Sequence, residues 1–368
     1  LSKVSISSVA QNGNGDAMQV DSSGLPEEIA AKVDATQEKL SKSRRKRPVP
    51  EGWVTTEKIE GFDVTSKSKL LYPGSSFVAV DSTGTRAIVG GKDGVAGVYS
   101  VPDDEIHMVL NVGAGAITDA VWYGDSPVVA TASGTIKVFE GSDEAATFRS
   151  HAGSANALAL HPSGEILASV GADKSFVFYD LVGRKAVSQI YTDSGMSPKP
   201  VFMKEVLMMN ADLTTAAFHP DGHLIAVGTT DGKVKMYLVK TGDFAAEFDC
   251  AGPVQSLSFS ENGTWFSVAV KGSTTVTTFD LRKQGAAAEV NSLDIGSRVE
   301  SIAWDYTGQY LATAGPSGIT VQQYTKSSKS WSEPKRSAVP ATAVAWGANG
   351  ASLVTVNHDG VITILASA

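Results

Sequence analysis

Four residues between positions 151 and 179 have the side chains of a hydrolytic centre: His151, Ser169, Asp173 and Tyr179. A serine, a histidine and an acid can act as nucleophile, general base and orienting carboxylate, which is acyl-transfer chemistry. The serine, however, lacks the Gly-x-Ser-x-Gly elbow that presents such a nucleophile, and the same slots recur in degraded form along the chain. The sequence therefore assigns the four to a structural hydrogen-bond network. Asp93, Asp173, Asp231 and Asp359 could likewise suggest a carboxylate cluster. Each stands at one point of a repeating unit, where a short acidic side chain accepts hydrogen bonds from turn backbone.

Metal and phosphate chemistry find little support. His219 and His223 have the i, i+4 spacing of a helical zinc motif, but they flank Pro220, Asp221 and Gly222, a turn, so no metal is expected there. His161 before Pro162 and His219 before Pro220 read as turn residues at equivalent places. The Gly-rich stretches lack the Lys and Ser/Thr of a phosphate loop. Cys250 is the single cysteine, which leaves no disulfide framework and no thiolate cluster and fits a reducing compartment. No catalytic site and no cofactor are expected.

The elements that carry these residues repeat. Turn glycines at Gly84, Gly124, Gly164, Gly222, Gly263, Gly308 and Gly350 are separated by 40, 40, 58, 41, 45 and 42 residues. Each unit holds an apolar strand, the glycine turn, a small-residue strand such as Ala168, Ser169 and Val170, an Asp-Gly-like turn, and a third strand. Those third strands end in Tyr99, Phe139, Tyr179, Tyr237, Phe279, Tyr324 and Leu365. A period near 40 without 3.6-residue apolar spacing predicts an all-β, seven-bladed propeller over residues 49–368. Strands apolar on both faces suit blades sandwiched between neighbours, and one large ring per unit suits the seam between them. The seventh unit ends before a fourth strand, so residues 61–71 are expected to supply the outer strand of the last blade.

Ahead of the ring, residues 1–24 are rich in Ser, Gly, Asn and Asp and predict a flexible linker. Residues 25–48 predict a helix with a basic end, running from about Pro26 to Arg44: Ser23 can cap it, Glu27 and Glu28 face its positive pole, and Ile29, Val33 and Leu40 form one stripe. Such a helix is marginal alone and is expected to dock on the propeller or on a partner. The basic run Lys42, Arg44, Arg45, Lys46 and Arg47 reads either as a solvated terminus that complements the dipole or as a nuclear localisation signal. Without it, 26 basic residues face 39 acidic ones, a formal charge of −13, which is a poor surface for neutralising phosphates. Strong direct nucleic-acid binding is therefore not expected. Neither a membrane-spanning run nor a signal peptide is seen, and Leu1 is not a natural start, which predicts a fragment.

Surface chemistry remains. By register, Lys92, Asn156, Asp212, Thr230, Gln255, Arg298, Glu300 and His358 line one mouth of the channel, with Ser76, Thr118, Ser154, Thr214 and Thr342 among them. Charges of both signs among small polar groups suit protein or peptide recognition. The step of 58 residues holds an insertion near Thr192 to Asp212 that should emerge at the same mouth. Met196, Phe202, Met203, Leu207 and Met208 make it adaptable and apolar, either as a partner groove or as a loop folded over its own blade.

With Asp180 and Leu181 closing the third unit and Asp280 and Leu281 the fifth, the units resemble WD40 repeats whose Trp is replaced by Tyr or Phe. The segment Leu25 to Ile29 with its basic run, and the fifth unit with Gly252, Pro253, Val254, Ser258 to Gly263 and Phe279 to Lys283, resemble the pre-mRNA-processing factor 19 family. The resemblance covers residues 25–368 and is weak in the second and sixth units. It implies a nuclear U-box ubiquitin ligase and splicing scaffold, tetrameric through a coiled coil, whose propeller recruits substrates and splicing proteins. The U-box and long coiled coil have no counterpart in these residues, so ligase activity is not expected of them. A structural hub unrelated to splicing, nuclear or cytoplasmic, and a hydrolase working at the channel mouth are the competing readings.

Overall fold

A sharp reversal every 40 residues needs a residue that tolerates left-handed backbone, and the seven turn glycines all adopt it, with φ between +56° and +82°. On that punctuation the chain lays down seven antiparallel sheets in succession. The computed structural model describes residues 8–12, 17–20, 24–44, 52–113, 115–192, 211–325 and 327–367. The third blade shows the plan: Ala155–Leu160, Ile166–Gly171, Ser175–Asp180 and Lys185–Tyr191 pair in order from the axis outward. Its second strand is buried along its whole length, as a strand covered on both faces must be. The first strands of successive blades adjoin one another around the axis, and Ala343–Trp346 of the last meets Ala79–Val80 of the first. The result is a closed seven-bladed propeller.

The seventh blade is completed as the repeat count requires. Phe62–Lys69 pairs antiparallel with Val361–Ser367, from Phe62 opposite Ser367 to Lys69 opposite Val361. Just before it lies a short helix, Thr56–Glu60, which the sequence reading missed; the Thr55 side chain accepts from the Lys58 N–H and caps it. Ile59, Val54 and Phe62 pack from this segment onto Tyr310, Leu353 and Leu365.

Six of the seven third-strand side chains named above are buried, and the seventh, Tyr324, is half-buried between Trp265 and Trp331. Each meets an aromatic of the preceding blade where one is available. Ring centroids lie 4.8 Å apart for Phe148 and Tyr179 and 4.9 Å for Phe176 and Tyr237. These tilted pairs join neighbouring sheets.

The N-terminal helix spans Glu27–Arg44 and docks on the propeller. Ile29 and Val33 enter the core shared by the third and fourth blades beside Phe218 and Tyr237. The Leu25 N–H donates to the Lys240 carbonyl at 2.9 Å, and two half-exposed ion pairs, Lys32 with Glu165 and Lys240 with Asp34, flank the contact. Such pairs add little, so the apolar stripe carries the docking. Ile29→Ala is expected to cost the docked helix about 2 kcal/mol or more. Amide exchange across Glu27–Leu40 should accelerate while the ring stays protected; unchanged exchange would contradict this account.

Two short strands are described within residues 1–24. Ser8–Asn12 and Ala17–Val20 form a hairpin added to Asp143–Arg149, the outer strand of the second blade, whose edge otherwise leaves backbone groups unpaired. The rest of residues 1–23 lies outside the described residues, as do Arg45 to Arg47 of the basic run.

Candidate functional site

The two ends of the ring differ by construction. First strands begin, and the turns between second and third strands lie, at one end; the glycine turns lie at the other. At the former end a cavity of about 720 Å³ opens on the axis. Asn156, Gln255, Arg298, Glu300 and His358 of the sequence-derived set line it, together with Ser76, Thr118, Thr214 and Thr342. Lys92 and Thr230 sit in exposed turns between second and third strands and do not line it. Asp212 is half-buried, with its N–H donating to Thr230 Oγ1 at 3.0 Å, and is also outside the lining.

The lining residues divide by what they touch. Inner strands present one unpaired edge to the axis, and several polar side chains bridge to the next blade's backbone. Asn156 Nδ2 donates to the Leu213 carbonyl at 2.7 Å, Thr342 Oγ1 to the Ser75 carbonyl at 2.9 Å, and Ser256 Oγ accepts the Ile302 N–H at 3.1 Å. Their polarity is spent inside the ring. Asp119, which the sequence reading missed, does the same: its carboxylate accepts the Leu158 and Ala120 N–H groups at 2.8 and 2.9 Å. Burial pushes its carboxyl up to about 7 in spite of those donors.

A second group is free to meet a partner. Arg298 is 52% exposed and donates through Nη2 to Glu300 Oε1 at 2.6 Å, while His358, 67% exposed, has Nε2 4.0 Å from the other Glu300 oxygen. Gln255 and Lys271 are exposed beside them, Lys271 being a residue the register argument did not select. Thus the charged part of the rim lies on the fifth, sixth and seventh blades. The insertion leaves after Lys185–Tyr191 and returns before Leu213–Phe218, both at this end of the ring. Met196, Phe202, Met203, Leu207 and Met208 themselves lie outside the described residues.

The serine, histidine and acid of the third blade do come together, with triad connectivity. Asp173 Oδ1 lies 2.9 Å from His151 Nδ1, His151 Nε2 lies 2.7 Å from Ser169 Oγ, and Ser169 Oγ lies 2.9 Å from the Tyr179 hydroxyl. Burial would raise the Asp173 carboxyl, but the imidazole, the Ala152 N–H and Ser175 together hold it below its ordinary value. The ionised carboxylate makes Nδ1 the protonated nitrogen, so Nε2 accepts from Ser169 and Ser169 accepts from Tyr179. Burial raises the Tyr179 phenol further, keeping it a donor. Ser169 and Tyr179 are fully buried, so the serine oxygen cannot meet a substrate. Gly171 is required here, because a Cβ would stand 2.4 Å from His151 Nδ1. The other acidic turns are simpler: Asp231 accepts from Thr229 Oγ1, and in the last blade Asn357 takes the Asp359 and Val361 N–H groups.

Comparison with known proteins agrees with this geometry. A model of the WD domain, G-beta repeat, matches residues 142–180, the stretch that holds the His151 network, and one of the anaphase-promoting complex subunit 4 WD40 domain matches residues 196–262. The pre-mRNA-processing factor 19 homolog 2 of Arabidopsis thaliana is 28% identical over 84% of this chain and 57% of its own length. This WD40 propeller is similar to pre-mRNA-processing factor 19. The factor of that name from Oryza sativa subsp. japonica is 28% identical over 75% of the chain and 51% of its own length, and that of Bos taurus 27% over 84% and 60%. The chain therefore spans between half and three-fifths of these pre-mRNA-processing factor 19 relatives.

Proposed function

We propose that this propeller is the partner-recruiting arm of a nuclear pre-mRNA-splicing factor, and that its charged rim of Arg298, Glu300, His358, Gln255 and Lys271 reads segments of splicing proteins and of ubiquitylation substrates. The carrying observation is that these side chains, unlike Asn156 and Thr342, are not committed to inter-blade hydrogen bonds, yet they converge on one axial cavity. Mixed signs within one rim favour a protein partner over a phosphate backbone. In the full-length protein, a U-box ligase and a tetramerising coiled coil would act on what this arm brings. Likeness to the relatives supports that reading, and the basic run would serve nuclear import.

The test is capture from nuclear extract on the immobilised propeller. Arg298→Glu with Glu300→Lys should reduce recovery of splicing proteins at least about tenfold, as expected for a hot-spot pair. Arg298→Glu alone, at a side chain 52% exposed, should move the melting temperature by no more than a few degrees. Recovery that survives the double variant would remove the rim from the account. A catch without splicing proteins would instead support a structural hub of another complex.

A further inference from the structure

At the opposite end of the ring the third and fourth blades build the same inter-blade staple with one telling difference. In the third blade His161 Nε2 donates to the Gly222 carbonyl at 3.0 Å, and its Nδ1 meets Ser163, whose Oγ lies 2.9 Å away and whose N–H lies 3.1 Å away. Burial depresses the His161 pKa to about 4, so the ring is neutral and Nδ1 is an acceptor served by two donors. In the fourth blade His219 Nε2 donates to the Gly263 carbonyl at 2.9 Å in the same way. Its Nδ1 again faces the backbone N–H two residues on, that of Asp221 at 3.3 Å, but the serine hydroxyl is replaced by the Asp221 carboxylate, with Oδ1 at 2.5 Å.

An ionised carboxylate has no proton to offer a nitrogen lone pair. His223 compounds the mismatch, since its Nδ1 contacts the same Asp221 oxygen. The turn that argued against a helical metal motif closes on itself and brings the three groups together: His219 Nδ1, Asp221 and His223 Nδ1 supply ligand atoms that all lie within 4.8 Å of one another. His219 is 3% exposed, Asp221 10% and His223 31%, so the cluster is walled on one side and open on the other.

We propose that His219, Asp221 and His223 form a zinc site. Two imidazole nitrogens and one carboxylate oxygen are the donor set of a three-ligand zinc centre, with the fourth, solvent-facing position left for water or a partner's side chain. A proton satisfies one imidazole at a time, whereas a divalent cation takes all three lone pairs together. The outer contact is also in place. The Gly263 carbonyl fixes the Nε2–H tautomer of His219 and so aims Nδ1 at the ion, as carbonyls do behind metal-bound histidines. Because Gly263 belongs to the fifth blade's first turn, bound zinc would tie two blades together at this rim.

The probe is Zn²⁺ itself, added to chelator-treated propeller, with bound metal measured by mass spectrometry after dialysis. One equivalent is expected per chain, accompanied by a melting temperature that rises with free zinc. His223→Gln removes a partly exposed ligand, and Asp221→Ser copies the third blade's arrangement, so both should fold without metal. Each should weaken zinc binding by at least the about 10- to 100-fold that loss of an outer-shell partner alone can cost. Nitrogen NMR of the histidines should show His219 Nδ1 losing any proton as zinc is added. Absence of a bound equivalent in the wild type, binding that both variants retain, or Nδ1 protons that persist at saturating zinc would overturn the site and leave a purely protonic His-Asp-His cluster.

Discussion

A chain beginning at Leu71 is expected not to fold. It keeps all seven glycine turns and all second and third strands, yet it loses Phe62–Lys69 and the segment before it. Besides Ile29, Ala30 and Val33 of the docked helix, four side chains at most 7% exposed go with residues 52–70: Val54, Ile59, Phe62 and Leu70. Burying such a side chain is worth about 1.5–3 kcal/mol, so the four together represent about 6–12 kcal/mol. That matches the whole net stability of about 5–15 kcal/mol typical of a folded domain. The loss also strips Val361–Ser367 of seven paired positions and exposes it as an edge.

The measurement is urea or thermal unfolding followed by circular dichroism, with aggregation monitored in parallel. Phe62→Ala provides a graded control and should cost about 3–5 kcal/mol. Because Phe62 lies opposite Ser367, a permuted chain in which residues 61–70 follow the C-terminus through a tight turn should regain cooperative folding. Cooperative melting of the truncated chain within a few degrees of the full one would show that the ring closes by other means.

This closure was legible in the sequence because it follows from counting. Seven turn glycines fix seven blades, the last copy runs out after its third strand, and one stretch ahead of the first copy can fill the gap. The Glu27–Arg44 helix was legible through its stripe and acidic start. What the repeat does not specify was not legible. The Thr56–Glu60 helix is too short for periodicity to show, and the Ser8–Asn12 hairpin owes its pairing to a distant edge strand. At the site, register selected nine residues that line the cavity but also Lys92, Ser154, Asp212 and Thr230, which belong to the same end of the ring and are not part of the lining. A strand's position in the repeat gives its end of the ring; which way a turn side chain leans depends on the neighbouring blade. Asp119 was missed for the opposite reason, since its role lies wholly in the Leu158 N–H of the next blade. Likewise, the i, i+4 rule assumes a helix, so spacing alone did not show that this turn brings His219 Nδ1, Asp221 and His223 Nδ1 within 4.8 Å of one another.

The buried network of the third blade carries the second large effect. Asp173 accepts from His151 Nδ1, from the Ala152 and Ser175 N–H groups at 3.0 and 3.2 Å, and from Ser175 Oγ at 2.8 Å. Asp173→Ala leaves four donors without their acceptor where the carboxylate was only 9% exposed, and the imidazole behind them is fully buried. Removing one partner of such a pair costs about 3–5 kcal/mol, enough to bring the melting transition of a ring this long down by about 5–8 degrees. Tyr179→Phe removes only the far donor to Ser169 and should cost about 1–2 kcal/mol. Acid separates the charge from the packing. The folded Asp173 carboxyl titrates below its unfolded value of 3.8, so its contribution is complete above that pH and disappears as the pH falls through the lower folded value. Asp173→Asn should therefore be destabilised at neutral pH, yet lose less than the wild type on acidification below about pH 4. Parallel acid-unfolding curves for the two proteins would mean that the carboxylate's charge contributes nothing and that the network holds by shape alone.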